Sequence, residues 1–335
     1  MKTLSIVSSC FNEEGNVREL YERVRAVMIR LGQYRYEHIL ADNSSNDGTA
    51  AVLRELAAAD PNVKVILNTR NFGHIRSPFY AMLQARGDAV IAMCSDLQDP
   101  PELIEQMVKL WENGMPVVIA VKNSSDESGL MFRLRTRYYR LVNRLSNIET
   151  YQHFIGFGLY DRKVMDMIAE FRDPYPYFRG MIAEVGLPHA EIPYRQPRRT
   201  RGVTKSNFYV LYDMAMLGIT NLSKVPLRIV TFSGFASSIL CICVSIAYCI
   251  YKLLFWNNFT VGIAPLVIGL FFFASIQMVF MGIIGEYIGA IHTFVQKRPL
   301  VFEKERINFE HEARVPLEPH ADFSPETAVA AEQLV

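Results

Sequence analysis

The sequence predicts an α/β protein: a mostly parallel sheet with helices on both faces, joined to a two-helix apolar hairpin. Three observations predict it. Short apolar runs alternate with helix-patterned segments from residue 4 to about residue 121. Four successive runs each end in polar side chains able to hold a ligand. Two long uncharged stretches follow far downstream. Strands alternating with amphipathic helices mark parallel sheets covered on both sides.

The expected strands are 4–7, 38–41, 63–67, 89–93 and 117–120, and the expected helices 15–31, 48–59, 76–85 and 101–111. The first strand leads into Phe11-Asn12-Glu13-Glu14. An aromatic ring there can lie against a base and a Glu can accept from its edge; a helix N-cap is the plainer alternative. The second leads into Asp42-Asn43-Ser44-Ser45-Asn46-Asp47-Gly48-Thr49, suited to ribose or base-edge hydrogen bonds or simply an Asx-rich turn. Arg70-Asn71-Phe72-Gly73 closes the third strand. Cys94-Ser95-Asp96-Leu97-Gln98-Asp99-Pro100-Pro101-Glu102-Leu103 closes the fourth, with Pro100-Pro101 a natural helix start, as is Asp47 for its own helix. Four such endings in a row describe a mononucleotide site along the carboxyl edge of a sheet. A carboxylate and an amide oxygen two residues apart, Asp96 and Gln98, can share one hard cation holding a diphosphate. No Gly-x-Gly-x-x-Gly, P-loop or Gly-x-Ser-x-Gly elbow is present, which disfavours a dinucleotide fold, a P-loop NTPase and a serine hydrolase.

Residues 133–145 read as a basic amphipathic helix whose five arginines can face phosphates, or water and headgroups. Residues 207–222 read as an interfacial helix. The uncharged spans 229–251 and 260–285 are each long enough to cross a bilayer, which takes roughly 20 residues. A buried hairpin in a soluble domain is the alternative. Lys224 and Arg228 precede the first span, and Lys297 and Arg298 follow the second, which puts both flanks in the cytoplasm and the connector 256–259 outside. Beyond Arg314 the composition is that of a disordered tail. The net charge of +1 over 335 residues argues against a nucleic-acid binder. The five cysteines have neither disulfide nor zinc spacing, and the N-terminus enters a strand with no signal-peptide pattern.

These motifs resemble the family-2 inverting glycosyltransferases of the GT-A fold, and within them the polyprenyl-phosphate sugar transferases of the dolichol-phosphate mannose synthase and bactoprenol glucosyltransferase type. The resemblance rests on Phe11-Asn12-Glu13-Glu14, Asn46-Asp47-Gly48-Thr49, Arg70-Asn71-Phe72-Gly73, the run from Asp96 to Leu103, Leu159 with Asp161-Arg162-Lys163, Gly202-Val203-Thr204-Lys205, Gly285-Glu286-Tyr287-Ile288-Gly289 and Arg298-Pro299-Leu300. It implies that Phe11, Glu13 and Asp42 contact the nucleoside, with Ser9, Asn71 and Ser95 also at the donor, and that Asp96 and Gln98 hold Mg²⁺ or Mn²⁺. Arg201 and Lys205 would join Asp96 as catalytic residues by gripping phosphate; contact with anionic headgroups is the other reading of that loop.

Three positions depart from the family pattern. Cys94 replaces the first acid of Asp-x-Asp, the turn after the second strand reads Asp42-Asn43-Ser44, and Ile155-Gly156-Phe157-Gly158 stands where Gly-Asp-Phe-Arg is usual. The missing Asp suits a phosphate acceptor, already largely dianionic at neutral pH with a second pKa of about 6, better than a hydroxyl acceptor. His74, Arg76 and His153 can add positive charge.

The resulting expectation is a cytoplasmic GT-A domain over 1–205, interfacial helices over 206–228, two transmembrane helices over 229–298 and a partly disordered tail over 299–335. It would sit multi-pass in a bacterial plasma membrane with both termini cytoplasmic. It would move a sugar from a nucleotide-sugar, UDP-linked before GDP-mannose, to polyprenyl (undecaprenyl) phosphate for cell-surface glycan modification, with the choice between a single copy and a homo-oligomer left open. The rivals are a degenerate paralogue acting as a nucleotide- or lipid-binding scaffold, a metal-independent transferase, and a processive synthase. The last lacks support because Gln196-Pro197-Arg198-Arg199-Thr200 has no Trp after its Arg.

Overall fold

In the computed structural model, residues 1–124, 151, 154–197, 212–213, 216–220, 223–254 and 263–309 are described. Their strands are β1 Thr3–Cys10, β2 Arg35–Asp42, β3 Val63–Asn68, β4 Ala89–Cys94, β5 Val117–Ser124, β6 Phe154–Asp161, β7 His189–Arg195 and β8 Glu303–Ile307. They form one sheet in the order β7-β5-β6-β4-β1-β2-β3-β8. β1 pairs in parallel with β2 and β4, β2 with β3, and β5 with β7. β6 and β8 run antiparallel to their neighbours.

Successive strand residues face opposite sides, as a pleated backbone requires. Leu4, Ile6, Leu40, Val65 and Ile91 pack beneath helices α1 Glu14–Arg30, α2 Thr49–Ala59 and α4 Ile104–Glu112. Val7, Ile39, Ile66 and Val90 pack on the other face, against α3 Gly73–Leu83, α5 Arg162–Glu170 and α6 Phe178–Val185. Each fully buried Leu or Ile contributes roughly 1.5–3 kcal/mol of transfer free energy. A 3₁₀ turn, Pro101–Leu103, leads into α4, as the Pro pair predicts.

All five expected strands and four expected helices are present. Three strands escape the apolar-run criterion. β6 is interrupted by Gly156 and Gly158, β7 turns only Ile192 and Tyr194 inward, and β8 is the charged segment Glu303-Lys304-Glu305-Arg306-Ile307. β8 follows the second apolar helix and pairs along β3; Arg54 grips Glu305 and Tyr80 meets Glu303.

The two apolar spans are helices α7 Val225–Leu254 and α8 Ile263–Val295, both long and apolar enough to cross a membrane. They leave Phe232, Phe235, Leu266 and Phe271 exposed. α8 runs past the expected end at Gly285 to Val295 because Glu286 and Tyr287 find polar partners, Tyr212 Oη and the Ser223 carbonyl. Of residues 207–222, positions 212–213 and 216–220 are described, and they are helical. The basic segment 133–145, the connector 256–259, His153 and the tail beyond Arg314 lie outside the described residues.

Candidate active site

Beyond each of the first four strands stands one residue at positive φ: Asn12 (58°), Ser44 (63°) and Leu97 (62°) in the loops after β1, β2 and β4, and Gly73 (86°) at the first position of α3. The conformation is costly for Leu and Ser, so Leu97 and Ser44, in loops on the same edge, point to a site that requires those turns.

The geometry at Leu97 gives the reason. Its side chain is buried in the core beneath the α1/α2/α4 layer. The flanking Asp96 and Gln98 remain partly exposed. The left-handed turn therefore anchors the loop through its apolar residue while its two polar neighbours stay accessible. Asp96 Oδ1 accepts from the Gln98 backbone N–H at 3.1 Å, which ties the pair together. Gln98 Nε2 donates to the Pro197 carbonyl at 3.3 Å, four positions before Arg201. Arg201 and Lys205 themselves lie outside the described residues.

Ser9 and Cys94 are register partners on β1 and β4, and Ser95 Oγ donates to the Ser9 carbonyl at 2.7 Å. Cys94 is exposed. The loop after β1 is fastened to the loop after β2. Asn12 N–H donates to Ser45 Oγ, Asn46 N–H to Asn12 Oδ1, and Glu13 N–H to Thr49 Oγ1. Glu13 is buried and accepts from Asn16 at 2.6 Å, and Phe11 is partly exposed beside it. Asp42 is also buried; its carboxylate accepts from the Ser45 hydroxyl and backbone N–H, while burial raises its pKa. Its direct work in this structure is to shape the turn. Asn43 bridges to the third loop by donating to Asn71 Oδ1 at 2.9 Å and the Gly73 carbonyl at 3.0 Å. Ser9, Phe11, Glu13, Asp42, Asn71, Ser95, Asp96 and Gln98 thus lie on or just beyond the carboxyl ends of four adjacent strands.

The motif reading missed a separate role for Asp99. This carboxylate is 1% exposed, accepts from the Cys94 N–H at 2.9 Å and from Tyr194 Oη at 3.2 Å, and is pushed up to about 6 by burial. It closes the 94–99 loop from beneath. Asp96 and Asp99, three positions apart, look alike in sequence; burial separates them. Asp161, part of the resemblance, caps α5 through the Lys163 N–H and accepts from Trp111 Nε1 at 2.6 Å. It pairs with Ala89, at the opposite end of β4 from Asp96.

Gly156 has φ 108°, a backbone that disfavours a side chain. A Cβ on Gly158 would stand 2.5 Å from the Val118 carbonyl oxygen, so β6 and β5 approach too closely for one.

Among the described residues, no three His, Cys, Asp or Glu side chains gather as a metal-binding group. Asp96 and Gln98 fit a smaller demand, a hard cation with one carboxylate and one amide oxygen from the protein and the rest from phosphates and water. The soft thiol of Cys94 is a poor match for Mg²⁺.

Residues 5–168 match the family described as Glycosyl transferase family 2. The uncharacterized glycosyltransferase YkcC of Bacillus subtilis is 32% identical over 311 residues, 92% of this chain and 95% of that protein. The bactoprenol glucosyl transferase of Shigella phage SfII is 32% identical over 298 residues, 88% of this chain and 96% of the phage protein. The crystal structure of mannosyl-3-phosphoglycerate synthase from Rubrobacter xylanophilus aligns with a TM-score of 0.43 at 18% identity, over 64% of this chain and 71% of that one.

Proposed function

The chain belongs to glycosyl transferase family 2, and on that premise we propose that it transfers a sugar from a nucleotide-sugar to a polyprenyl phosphate at a membrane surface. The observation that carries this reading is the reach of the similarity. The match to a bactoprenol glucosyl transferase covers 88% of the chain, extending well beyond the family-2 segment 5–168. Helices α7 and α8 supply a means of holding the site beside a lipid acceptor, with the α/β unit and both flanks on the cytoplasmic side of a bacterial plasma membrane. UDP-glucose is the first donor to test because that relative is a glucosyl transferase; GDP-mannose is second.

The donor lies along the strand-end loops, its nucleoside near Phe11, Glu13 and Asp42 and its diphosphate near Ser9, Asn71, Ser95 and Asp96. Asp96 and Gln98 would hold Mg²⁺ or Mn²⁺, and the cation would supply positive charge against the diphosphate. Arg201 and Lys205 bring further positive charge to the phosphates. An acceptor phosphate oxygen attacks the anomeric carbon. The carbon–oxygen bond to the nucleoside diphosphate breaks on the opposite side, that oxygen keeps the electron pair, and the configuration inverts. A phosphate monoester with a second pKa of about 6 is already deprotonated at neutral pH. Glycines at 156 and 158 are therefore compatible with turnover. The protein's task is to align two anions and screen their repulsion.

The test is incubation of the purified full-length protein with undecaprenyl phosphate, Mn²⁺ and radiolabelled UDP-glucose or GDP-mannose. A butanol-extractable labelled lipid is the expected product. Retained folding and nucleotide binding without labelled lipid from any nucleotide-sugar would overturn the reading in favour of a binding scaffold.

A further inference from the structure

A cavity of about 360 Å³ opens on the face of the sheet opposite α1, α2 and α4, between α3, β6 and the start of α6. Ligand sites typically run from about 300 to 1,000 Å³, so it can hold a small group or one end of a long one. Most of its wall is apolar, including Ile75, Phe79, Met82, Ile155 and Phe157. Its polar lining includes Ser9, Cys94 and Asp99, which belong to the strand-end site, together with His74, Tyr177 and Arg179. The cavity is therefore continuous with the place proposed for the donor diphosphate. Leu217 also lines it, from the helical residues 216–220 that precede α7.

These features specify an occupant with two chemical parts. The apolar walls suit hydrocarbon. Arg179 and His74 both stand on the cavity wall; burial first, and the arginine charge second, lower the imidazole's pKa and keep it neutral, so the guanidinium supplies the charge for an anion and the imidazole a hydrogen-bond donor. The guanidinium is oriented by a 3.2 Å hydrogen bond to the Phe154 carbonyl and by the Tyr177 ring, whose centroid is 5.4 Å away. Guanidinium groups recognise phosphate through paired N–H donors. The remaining acid in the lining, Asp99, is directed to the Cys94 N–H and Tyr194 Oη. Gly156 helps keep the space open: it lies on the cavity wall, where a Cβ would stand 4.0 Å from Phe178 Cδ1.

We propose that this cavity holds the phosphate and first prenyl carbons of the lipid acceptor, with Arg179 and His74 binding the phosphate beside Cys94 and Ser9. The inference rests on the acceptor class given under Proposed function. It adds that the acceptor enters between α3 and α6, on the side from which Leu217 and the apolar helices approach. The rest of a long prenyl chain exceeds the cavity and continues outside it.

The test uses full-length protein in detergent and farnesyl monophosphate as a short, soluble probe. Equilibrium binding is compared for the wild type, Arg179→Gln, Arg179→Lys and the cavity-filling Ile75→Trp, alongside farnesol and inorganic phosphate. Circular dichroism melting and UDP binding report on folding and on the donor site. Arg179→Gln and Ile75→Trp are expected to weaken farnesyl monophosphate binding at least tenfold, with UDP affinity within twofold of wild type. Arg179→Lys is expected to recover part of the loss, and farnesol and inorganic phosphate to bind at least tenfold more weakly than the combined probe. Unchanged farnesyl monophosphate affinity in both folded variants would overturn the assignment. Loss of UDP affinity instead would assign the cavity to the donor and overturn it equally. Failure of the acceptor-class reading looks different: the wild type binds the probe but yields no labelled lipid.

Discussion

The parallel strands carry polar groups at both ends, but the two ends use them differently. Near the amino-terminal ends, Glu37 accepts from Ser5 Oγ and the Arg86 N–H and pairs with Lys64 Nζ at 2.6 Å. Gly87 N–H closes the set by donating to Ser5 Oγ at 2.8 Å. Every named group is satisfied within the protein, and Glu37 is held below the ordinary carboxylate range despite burial, by the Arg86 N–H and Lys64. At the carboxyl ends the turns are strained, Asp96 and Gln98 stay partly exposed, and the buried Asp99 is pushed up to about 6 by burial. A buried charged pair of that first kind serves the fold, whereas perturbed and partly exposed groups on strained loops are available to a ligand.

Substitutions at the two ends should therefore separate stability from turnover. Glu37→Ala leaves Lys64 and the Arg86 N–H without their carboxylate, and loss of one partner from a buried pair costs about 3–5 kcal/mol. Denaturant unfolding in detergent should show that loss, while the folded fraction keeps wild-type affinity for UDP. A loss under about 1 kcal/mol would remove the structural half of the comparison. Asp96→Ala should do the reverse. Its turnover should fall by about 10²–10³, equivalent to about 2.7–4 kcal/mol of transition-state stabilisation. Its folding stability should remain within about 0.5 kcal/mol, as for a partly exposed polar group. The thermal shift given by UDP with Mn²⁺ should disappear; its full retention would move the cation site away from Asp96.

Asp99 belongs to both halves, and pH separates its contribution. Its pKa rises from 3.8 to about 6 on folding, with burial the leading cause. The folded state thus keeps this proton to higher pH than the unfolded chain does. On this account its contribution to stability is greatest below about pH 4 and falls as pH rises through 6, by up to about 3 kcal/mol. Asp99→Asn has no such titration, although its amide N–H₂ facing the Cys94 N–H adds a pH-independent cost. The stability of the variant relative to wild type should therefore improve between pH 4 and pH 7. The buried His38, lowered to about 3, gives the opposite trend in both proteins and cancels from the difference. A pH-independent difference would show that Asp99 titrates normally in the folded protein.

How much of this was legible in the sequence depended on how each element is held. β1 to β5 are central or paired on both sides, so their apolar runs stand out, as do the four loops that end in polar residues. β7 and β8 are the two edges of the sheet, each unpaired along one side, and β8 adds charged contacts such as Arg54 with Glu305 to its backbone pairing with β3. An apolar-run criterion passes over such strands. Within the site, Asp96 and Gln98 could be singled out because their spacing matters. The bond from Gln98 to Pro197, the role of Tyr194 under Asp99 and the cavity at Arg179 could not, since each joins segments distant in sequence.

Gly158 gives the mildest expected effect, and it decides how its departure from the family pattern should be understood. Read as sequence, the replacement of Arg by Gly158 favours a degenerate site. Read in the fold, it is a packing requirement: an added Cβ would lie 2.5 Å from the Val118 carbonyl oxygen and 3.1 Å from Tyr160 Oη. Tyr160 is fully buried and donates to the Gly156 carbonyl at 2.8 Å, so its hydroxyl occupies space beside β6 that a longer residue at 158 would contest. Gly158→Ala should therefore lower stability by about 1–3 kcal/mol, the usual cost of overpacking a core. The folded fraction should keep its kcat, because the strain falls on the β5–β6 pairing. Gly158→Arg should fold worse still. A Gly158→Arg protein that folds as well as wild type and turns over faster would mean that the glycine marks a lost catalytic group after all.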